Sequence, residues 1–203
     1  MTIDRLGMVK VRHLQTIHSL GSYRNACRVV RQLIPYTNQV YQEKEKVIYL
    51  NKKGRDLVGS ENEVNGISML KHYTLRNEVY LHFNQPIDWK NEYTLETTVE
   101  PQRNVDIVIQ GIKPASKRKV VADACFTRNG YVNIIEIDNT RDMADNRKKV
   151  QNYAEILPLV RKNLPGSPLL LFFTTTENRK QKLSTWLSEK GLPHKVMTYA
   201  EIN

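Results

Sequence analysis

The sequence has few cysteines and no long apolar run. Its 203 residues include only two cysteines, Cys27 and Cys125, which stand far apart without paired spacing, so we expect neither a disulfide framework nor a zinc site. No stretch of about 18 uninterrupted apolar residues occurs. The first residues also lack the apolar centre and the small-residue cleavage site of a secretory signal. We therefore expect a folded cytoplasmic protein with no membrane partner.

Positive charge is in excess and unevenly distributed. The formal net charge is +10, and residues 1–60 hold 11 Lys and Arg against 4 Asp and Glu, a net charge of +7. Such an excess indicates a polyanionic partner, although charge alone does not separate DNA from RNA or from an acidic protein. The first third of the chain is the region where we expect that partner to bind.

Two helices are predicted in this first third. Apolar residues recur at helical spacing in VRHLQTIHSL, the chain breaks at Gly21, and Ser22 is a good N-cap for a second helix. Its apolar face is predicted to hold Ala26, Val29, Val30 and Leu33. Such a pair has the layout of a helix-turn-helix with a recognition helix, although a solvated helix face would show the same stripe of arginines. The stripe comprises Arg24, Arg28 and Arg31.

A β-hairpin is predicted after the helix pair. Two β-prone runs, about residues 39–42 and 46–50, flank the charged turn EKEK. This arrangement is typical of a winged helix, whose wing contacts phosphate and positions the protein without reading sequence. We therefore expect double-stranded DNA as the partner. The candidate contacts are Arg12, Ser22, Arg24, Asn25, Arg28, Arg31, Lys44 and Lys46.

The composition changes after Gly59, where we place a domain boundary between residues 1–59 and residues 60–203. The second part alternates predicted helices and strands, which indicates an α/β sheet layered with helices. The predicted elements are a helix at about 67–84, two strands around Pro101, a basic loop GIKPASKRK, a hairpin, a helix near 141–157, the buried strand SPLLLFFTTT, the helix TENRKQKLSTWLSEKG and the edge strand PHKVMTYAEI.

The hairpin carries the acids of a candidate metal site. If Asn129 and Gly130 form its turn, Asp123 lies opposite Glu136, and strand alternation puts Asp138 on the same side. Opposed like charges destabilise a sheet unless a cation or a proton lies between them. Oxygen ligands of this kind suit Mg²⁺ or Mn²⁺. Alternatively, the register slips by one residue and the acids meet arginines or solvent.

The helix after the hairpin carries further candidate residues. Lys149 and Tyr153 are spaced i, i+4 and share a face beside its apolar stripe. If that face looks toward the acids, Lys149 neutralises phosphate or transition-state charge and Tyr153 orients it. Otherwise Lys149 is simply exposed and Tyr153 is half-buried.

Five segments, spread over nearly the whole chain, carry a resemblance to a known family: LQTIHSLGSYRNACRVVRQL, VIYLNKKGRDLVG, ADACF, IIEIDNT and KKVQNY. Their pattern resembles the replication-relaxation family of plasmids and other mobile elements of Gram-positive bacteria. It implies an N-terminal winged helix followed by a PD-(D/E)xK nuclease-like α/β domain. It also implies a role in replication, transfer or transcription control, with replication or transfer proteins as further partners.

The nuclease motif is matched only in part. Asp123 and Glu136 match its two acids, Asp138 stands where the motif has lysine, and Ala122 stands where it has proline. Lys149 or Lys148 would then supply the cation, and Tyr153 is similar to the helix tyrosine of RecB-like nucleases. Three hypotheses stay open: a DNA-binding protein with an inactive nuclease-like domain, a Mg²⁺- or Mn²⁺-dependent endonuclease or nickase with catalytic Asp123, Glu136, Lys149 and Tyr153, and a protein-interaction module. Whether the protein forms a homodimer is also open.

Overall fold

The structure is a computed structural model that describes residues 1–64, 67–99, 116–139 and 142–202. Its first section combines short helices with a three-stranded antiparallel sheet of order β1-β3-β2. The elements are α1 (Thr2–Leu6), β1 (Val9–Lys10), α2 (Val11–Ile17), α3 (Tyr23–Arg31), β2 (Thr37–Gln42), β3 (Glu45–Leu50) and α4 (Lys52–Val58). The sequence reading missed α1, whose Ile3 and Leu6 are buried.

The predicted helix pair is confirmed. The backbone turns at Gly21 with φ +67°, a conformation that glycine adopts readily. The Ser22 hydroxyl then caps α3 by accepting the backbone N–H of Asn25 at 3.2 Å. Ala26 and Val30 are buried on one face of α3, so the opposite face stays available to solvent.

The predicted β-hairpin is also present, with a shorter turn than expected. Pairing of β2 with β3 runs from Thr37–Leu50 to Gln42–Glu45, so only Glu43 and Lys44 form the turn. Both have positive φ, +51° and +66°, as a two-residue type I′ turn requires. Lys44 therefore lies at the tip of the hairpin.

The second section is a five-stranded sheet with helices on both faces. The strand order is β4-β5-β6-β7-β8, antiparallel from β4 to β6 and parallel from β6 to β8. This agrees with the predicted α/β class, and the predicted edge strand is β8. The elements are α5 (Leu70–His82), β4 (Lys90–Val99), β5 (Ser116–Arg128), β6 (Tyr131–Asp138), α6 (Met143–Val160), β7 (Ser167–Thr174), α7 (Glu177–Glu189) and β8 (His194–Thr198).

Two details near β5 differ from the sequence reading. Residues 116–119 of the predicted basic loop belong to β5, because antiparallel pairing with β4 reaches Val99–Ser116. The second strand predicted after Pro101 lies outside the described residues. Among the described residues, no helix combines the length and the apolar character that a membrane span requires.

Two apolar clusters lie on opposite faces of the large sheet. One packs beneath α6 and α7. The other packs beneath α5 and continues without a break into the first section, so that Ile3, Leu14 and Val30 share a core with Val79 and Phe173. The boundary proposed at Gly59 coincides with the left-handed C-cap of α4, but the sections on either side of it share this core.

Candidate active site and basic surface

The β5–β6 hairpin has the predicted register from its turn as far as Ala124, the residue next to Asp123. Asn129 and Gly130 form the turn with φ +52° and +77°, and pairing runs from Arg128–Tyr131 to Ala124–Ile135. Beyond that pair β5 changes face. Ala124 packs beneath α5, whereas Ala122 packs beneath α6, although simple alternation would keep them on one side.

Asp123 lies at this change of face and fills the gap between the strands. Its Oδ2 accepts the backbone N–H of Ile137 at 2.6 Å, and its Oδ1 lies 3.4 Å from Nε2 of His72 on α5. Asp123 and Glu136 are thus not a regular cross-strand pair. The separation of the strands frees the Asp123 carboxylate to act as a side-chain partner for β6.

Glu136 is held from the side of α6. Its side chain is almost fully buried, with the residue 3% exposed. The Tyr153 hydroxyl donates to Oε1, and Nζ of Lys149 lies 2.5 Å from Oε2. Lys149 and Tyr153 therefore share one helix face, as their i, i+4 spacing predicted, and that face looks toward the acids, which is the first of the two alternatives.

The two acids differ in protonation. Burial, followed by the charge of Asp123, raises the pKa of Glu136 to about 8, and the opposing effects of Lys149 and Tyr153 do not cancel this rise. Burial also acts to raise the pKa of Asp123, but the hydrogen bond with His72 and the charge of Lys149 lower it to about 2. Lys149 thus lowers the pKa of both acids.

Tyr153 stays protonated in this cluster. Its side chain is fully buried, and burial together with the neighbouring Glu136 raises the pKa of Tyr153 well above its ordinary value. The phenol therefore remains a hydrogen-bond donor to the carboxyl group. This fixes the orientation of Glu136 within the site.

Asp138 belongs to a separate ion pair, which corrects the expected convergence of three carboxylates. Nε and Nη2 of Arg179, in the first turns of α7, both donate to it at 2.6 Å. Asn146 and Thr174 also donate to it, at 2.9 and 2.7 Å. Burial opposes ionisation, but these hydrogen bonds lower the pKa of Asp138. Asp138 therefore follows the alternative in which an acid at a strand end meets arginine.

The contacts of Asp123, Glu136 and Asp138 decide which of these acids could bind a metal ion. Among the described residues, no three His, Cys, Asp or Glu side chains are grouped as a metal site would require. Asp123 and Glu136 alone still offer carboxylate oxygens to an ion that completes its shell with water and phosphate, as Mg²⁺ commonly does. The structure fits a two-carboxylate site and does not fit the three-carboxylate site that includes Asp138.

The candidate DNA contacts in the first section divide into two groups. Arg12 is used internally, since its guanidinium contacts Glu45 at 2.9 Å and also pairs with Glu78. Ser22 uses its hydroxyl as the helix cap, and Lys46 lies in β3 and is partly exposed. The remaining candidates lie along α3 and at the hairpin tip, where Asn25 is half-buried and the others are exposed: Arg24, Asn25, Arg28, Arg31 and Lys44.

Two residues of the acidic region escaped sequence reasoning. His72 lies on a helix far from the acids in the chain, and only the packing of α5 against the sheet brings it to Asp123. The sequence held only a weak signal that Arg179 has an acidic partner. Thr176 is a good N-cap and accepts the N–H of Arg179 at 3.3 Å, which places Arg179 in the first turn of α7. A cation in the first turn of a helix opposes the helix dipole, which hints at an acidic partner.

Comparison of the chain with family models, with curated proteins and with solved structures finds no match.

Proposed function

We propose that this chain is a double-stranded DNA-binding protein whose first section is a winged helix. The observation that carries the proposal is the order α1-β1-α2-α3-β2-β3 with an exposed, arginine-bearing α3 and a β-hairpin after it. In such proteins the second helix of the pair enters the major groove and the hairpin lies against the backbone. The charge of +7 on residues 1–60 adds the attraction to phosphate.

The side chains of α3 suit a base-reading role near its N-terminus. Arg24 and Arg28 are exposed, and Nη2 of Arg28 donates to Oδ1 of Asn25 at 2.9 Å. Arginine can grip a guanine edge through two hydrogen bonds, and asparagine can do the same with adenine. Lys44, at the hairpin tip, would contact phosphate and so fix orientation rather than sequence.

The test is selection of bound duplexes from a random pool, followed by binding measurements at several salt concentrations. The proposal expects an enriched sequence and an affinity that falls steeply as salt rises. A protein whose affinity for the enriched duplex hardly changes with salt, or that enriches nothing, is not a sequence reader of DNA.

A second candidate function is metal-dependent cleavage or nicking of DNA. It is favoured by the single cluster in which the charge of Lys149 acts on both Asp123 and Glu136, while Tyr153 orients Glu136. Asp123 and Glu136 would hold Mg²⁺ or Mn²⁺, which when bound supplies charge neutralisation and an activated water. Lys149 would stabilise negative charge on the phosphate. Asp138 has no part in this proposal, since Arg179 holds it.

Incubation with supercoiled plasmid separates the two functions. A nuclease relaxes or linearises the plasmid with Mg²⁺ or Mn²⁺, and Asp123→Ala abolishes this. Asp145→Ala, which removes an exposed carboxylate of α6, is the control and should leave the rate unchanged. Tight binding without strand breakage supports the DNA-binding function and contradicts the nuclease function.

The resemblance to the replication-relaxation family suggests the setting. The protein would act on a plasmid, phage or conjugative element, in replication, transfer or transcription control. Other proteins of that process, or a second copy of this chain, would be its partners. Footprinting on the selected duplex tests the last point, because a symmetric paired site indicates a dimer.

A further inference from the structure

A cleft between α6 and α7 combines an aromatic ring with three cations. Its volume is about 430 Å³, and Trp186 lies in its wall beside Arg147, Lys148 and Lys190. Arg147 places its guanidinium carbon 5.8 Å from the centroid of the Trp186 ring. The acid in the lining is Glu189, so the cleft has a net charge of +2.

These cations form no ion pair in the described part of the chain, although Arg147 lies against the ring of Trp186. Arg147, Lys148 and Lys190 are exposed, and none of them forms an ion pair among the described residues. By contrast, Lys149, the next residue along α6, is committed to Glu136. Lys148 and Lys149 are neighbours in α6 but reach different surroundings, the cleft and the acidic cluster, because successive residues of a helix point in different directions.

We propose that this cleft binds an unpaired stretch of single-stranded DNA. A base would stack at the indole of Trp186, and the phosphates on either side would contact Arg147, Lys148 and Lys190. Aromatic rings interleaved with cations are the usual means of holding a single strand, because every base has a face to stack. The bases of a duplex are already stacked on one another, so intact double-stranded DNA cannot occupy the cleft in this way.

The size and the location of the cleft also fit a bound single strand. A volume of about 430 Å³ lies in the range of sites that enclose a group the size of one nucleotide. Lys148 borders the cleft and its neighbour Lys149 reaches the acidic cluster, so α6 contributes side chains to both places. The proposal requires neither cleavage nor binding of duplex by α3, and its failure would leave both open.

Tryptophan fluorescence tests the stacking. The chain has two tryptophans, of which Trp89 is buried and stacked against Phe126. Titration with an eight-residue oligothymidylate should quench the emission of Trp186, and Trp186→Phe should remove that response. Quenching that persists in Trp186→Phe, or its absence in the unchanged protein, overturns the proposal.

A pair of double variants tests the cations independently of the tryptophan. Arg147→Ala with Lys148→Ala should weaken binding of a labelled oligothymidylate by about tenfold, as followed by anisotropy. The matched control is Arg161→Ala with Lys162→Ala, which removes an exposed Arg-Lys pair just after α6 and should have little effect. Equal losses in the two variants mean that only overall charge matters, and the proposal then fails.

Two further measurements identify the occupant. Thymidine monophosphate should compete only weakly, because it offers one phosphate and no neighbouring nucleotides; competition as strong as that of the oligonucleotide overturns the assignment to a strand. The selected duplex should bind the Arg147→Ala, Lys148→Ala protein with unchanged affinity. A parallel loss of duplex binding means that the cleft is part of the double-stranded surface, which also overturns the proposal.

Discussion

Nε2 of His13 lies 2.9 Å from Oε1 of Glu78, and both side chains are buried. Nδ1 of His13 accepts the backbone N–H of Lys10 at 3.2 Å, so this nitrogen carries no proton and Nε2 donates to Glu78. Arg12 adds a cationic partner to the same carboxylate. Glu78 of α5 therefore ties the second section of the chain to α2.

Glu78→Gln should destabilise the whole protein. The substitution keeps the shape of the side chain but removes the charge that Arg12 and His13 bind, and we expect a loss of about 2 kcal/mol in the free energy of unfolding. Urea denaturation measures it. The control is Glu63→Gln, which breaks the exposed pair with Arg55 at 3.1 Å and should cost less than about 1 kcal/mol. Equal losses would contradict the special role of Glu78.

The Glu78 carboxylate also predicts how the stability of the fold depends on pH. Burial acts to raise the pKa of Glu78, but the hydrogen bond with His13 and the charges of Arg12 and Lys10 lower it below its ordinary 4.5. A lowered pKa means that Glu78 stabilises the fold fully above pH 4.5 and loses this contribution as the pH falls through the folded-state pKa. The stability gap between the unchanged protein and Glu78→Gln should therefore be constant near neutral pH and close below pH 4.5. A gap that widens in acid would refute this.

Tyr153→Phe should weaken the acidic cluster without a change in volume. The buried phenol donates to Glu136, and its loss leaves a buried acceptor short of a partner, at a cost of about 1–3 kcal/mol. It should also raise the pKa of Glu136 further, because that hydrogen bond lowers it. Thermal unfolding and a carboxyl titration by NMR measure the two effects. Tyr131→Phe, at an exposed position, should change neither.

Two glycines of the first section should differ sharply when replaced by alanine. A Cβ on Gly54 would lie 2.1 Å from the backbone oxygen of Tyr36, whereas a Cβ on Gly59 meets nothing within 4 Å. We expect Gly54→Ala to cost about 3 kcal/mol because α4 must move away from Tyr36. Gly59→Ala should cost only about 1 kcal/mol, from its φ of +65°. Chemical denaturation gives both values, and the reverse order would show that α4 does not pack as described.

Arg28→Ala tests the base-reading role of α3. If Arg28 contacts a guanine edge, the selected duplex should bind about 1–3 kcal/mol more weakly and discrimination should relax at one position. Arg161→Ala removes the same charge outside the first section and should change little. An equal loss with Arg28→Ala on every sequence would assign this arginine to phosphate instead.

The sequence predicted most of the architecture because its local signals agree with the fold. The Asn129–Gly130 turn fixed the hairpin register, the Ser22 cap fixed the start of α3, and the i, i+4 spacing of Lys149 and Tyr153 correctly predicted that they share one face of α6. Each of these signals acts over a few residues. Such signals survive tertiary packing because they determine backbone dihedral angles directly.

The errors arose where contacts are distant in the chain. Strand alternation correctly put Asp138 on the same face of the sheet as Glu136, but nothing local revealed that α7 would bring Arg179 to it. Similarly, Arg12 has the charge of a DNA contact, and only the packing of α5 showed that Glu78 holds it. The change of face at Asp123 has no sequence signal that we recognise, since it depends on both neighbouring strands.

The continuous core beneath α5 has a consequence for how such a protein could be rearranged. A recombination joint at Gly59 would strip Ile3, Leu14 and Val30 of the surface that covers them and would leave Glu78 facing no cation. The first sixty residues are therefore not an exchangeable cassette, because their apolar side chains are covered by α5 and the large sheet.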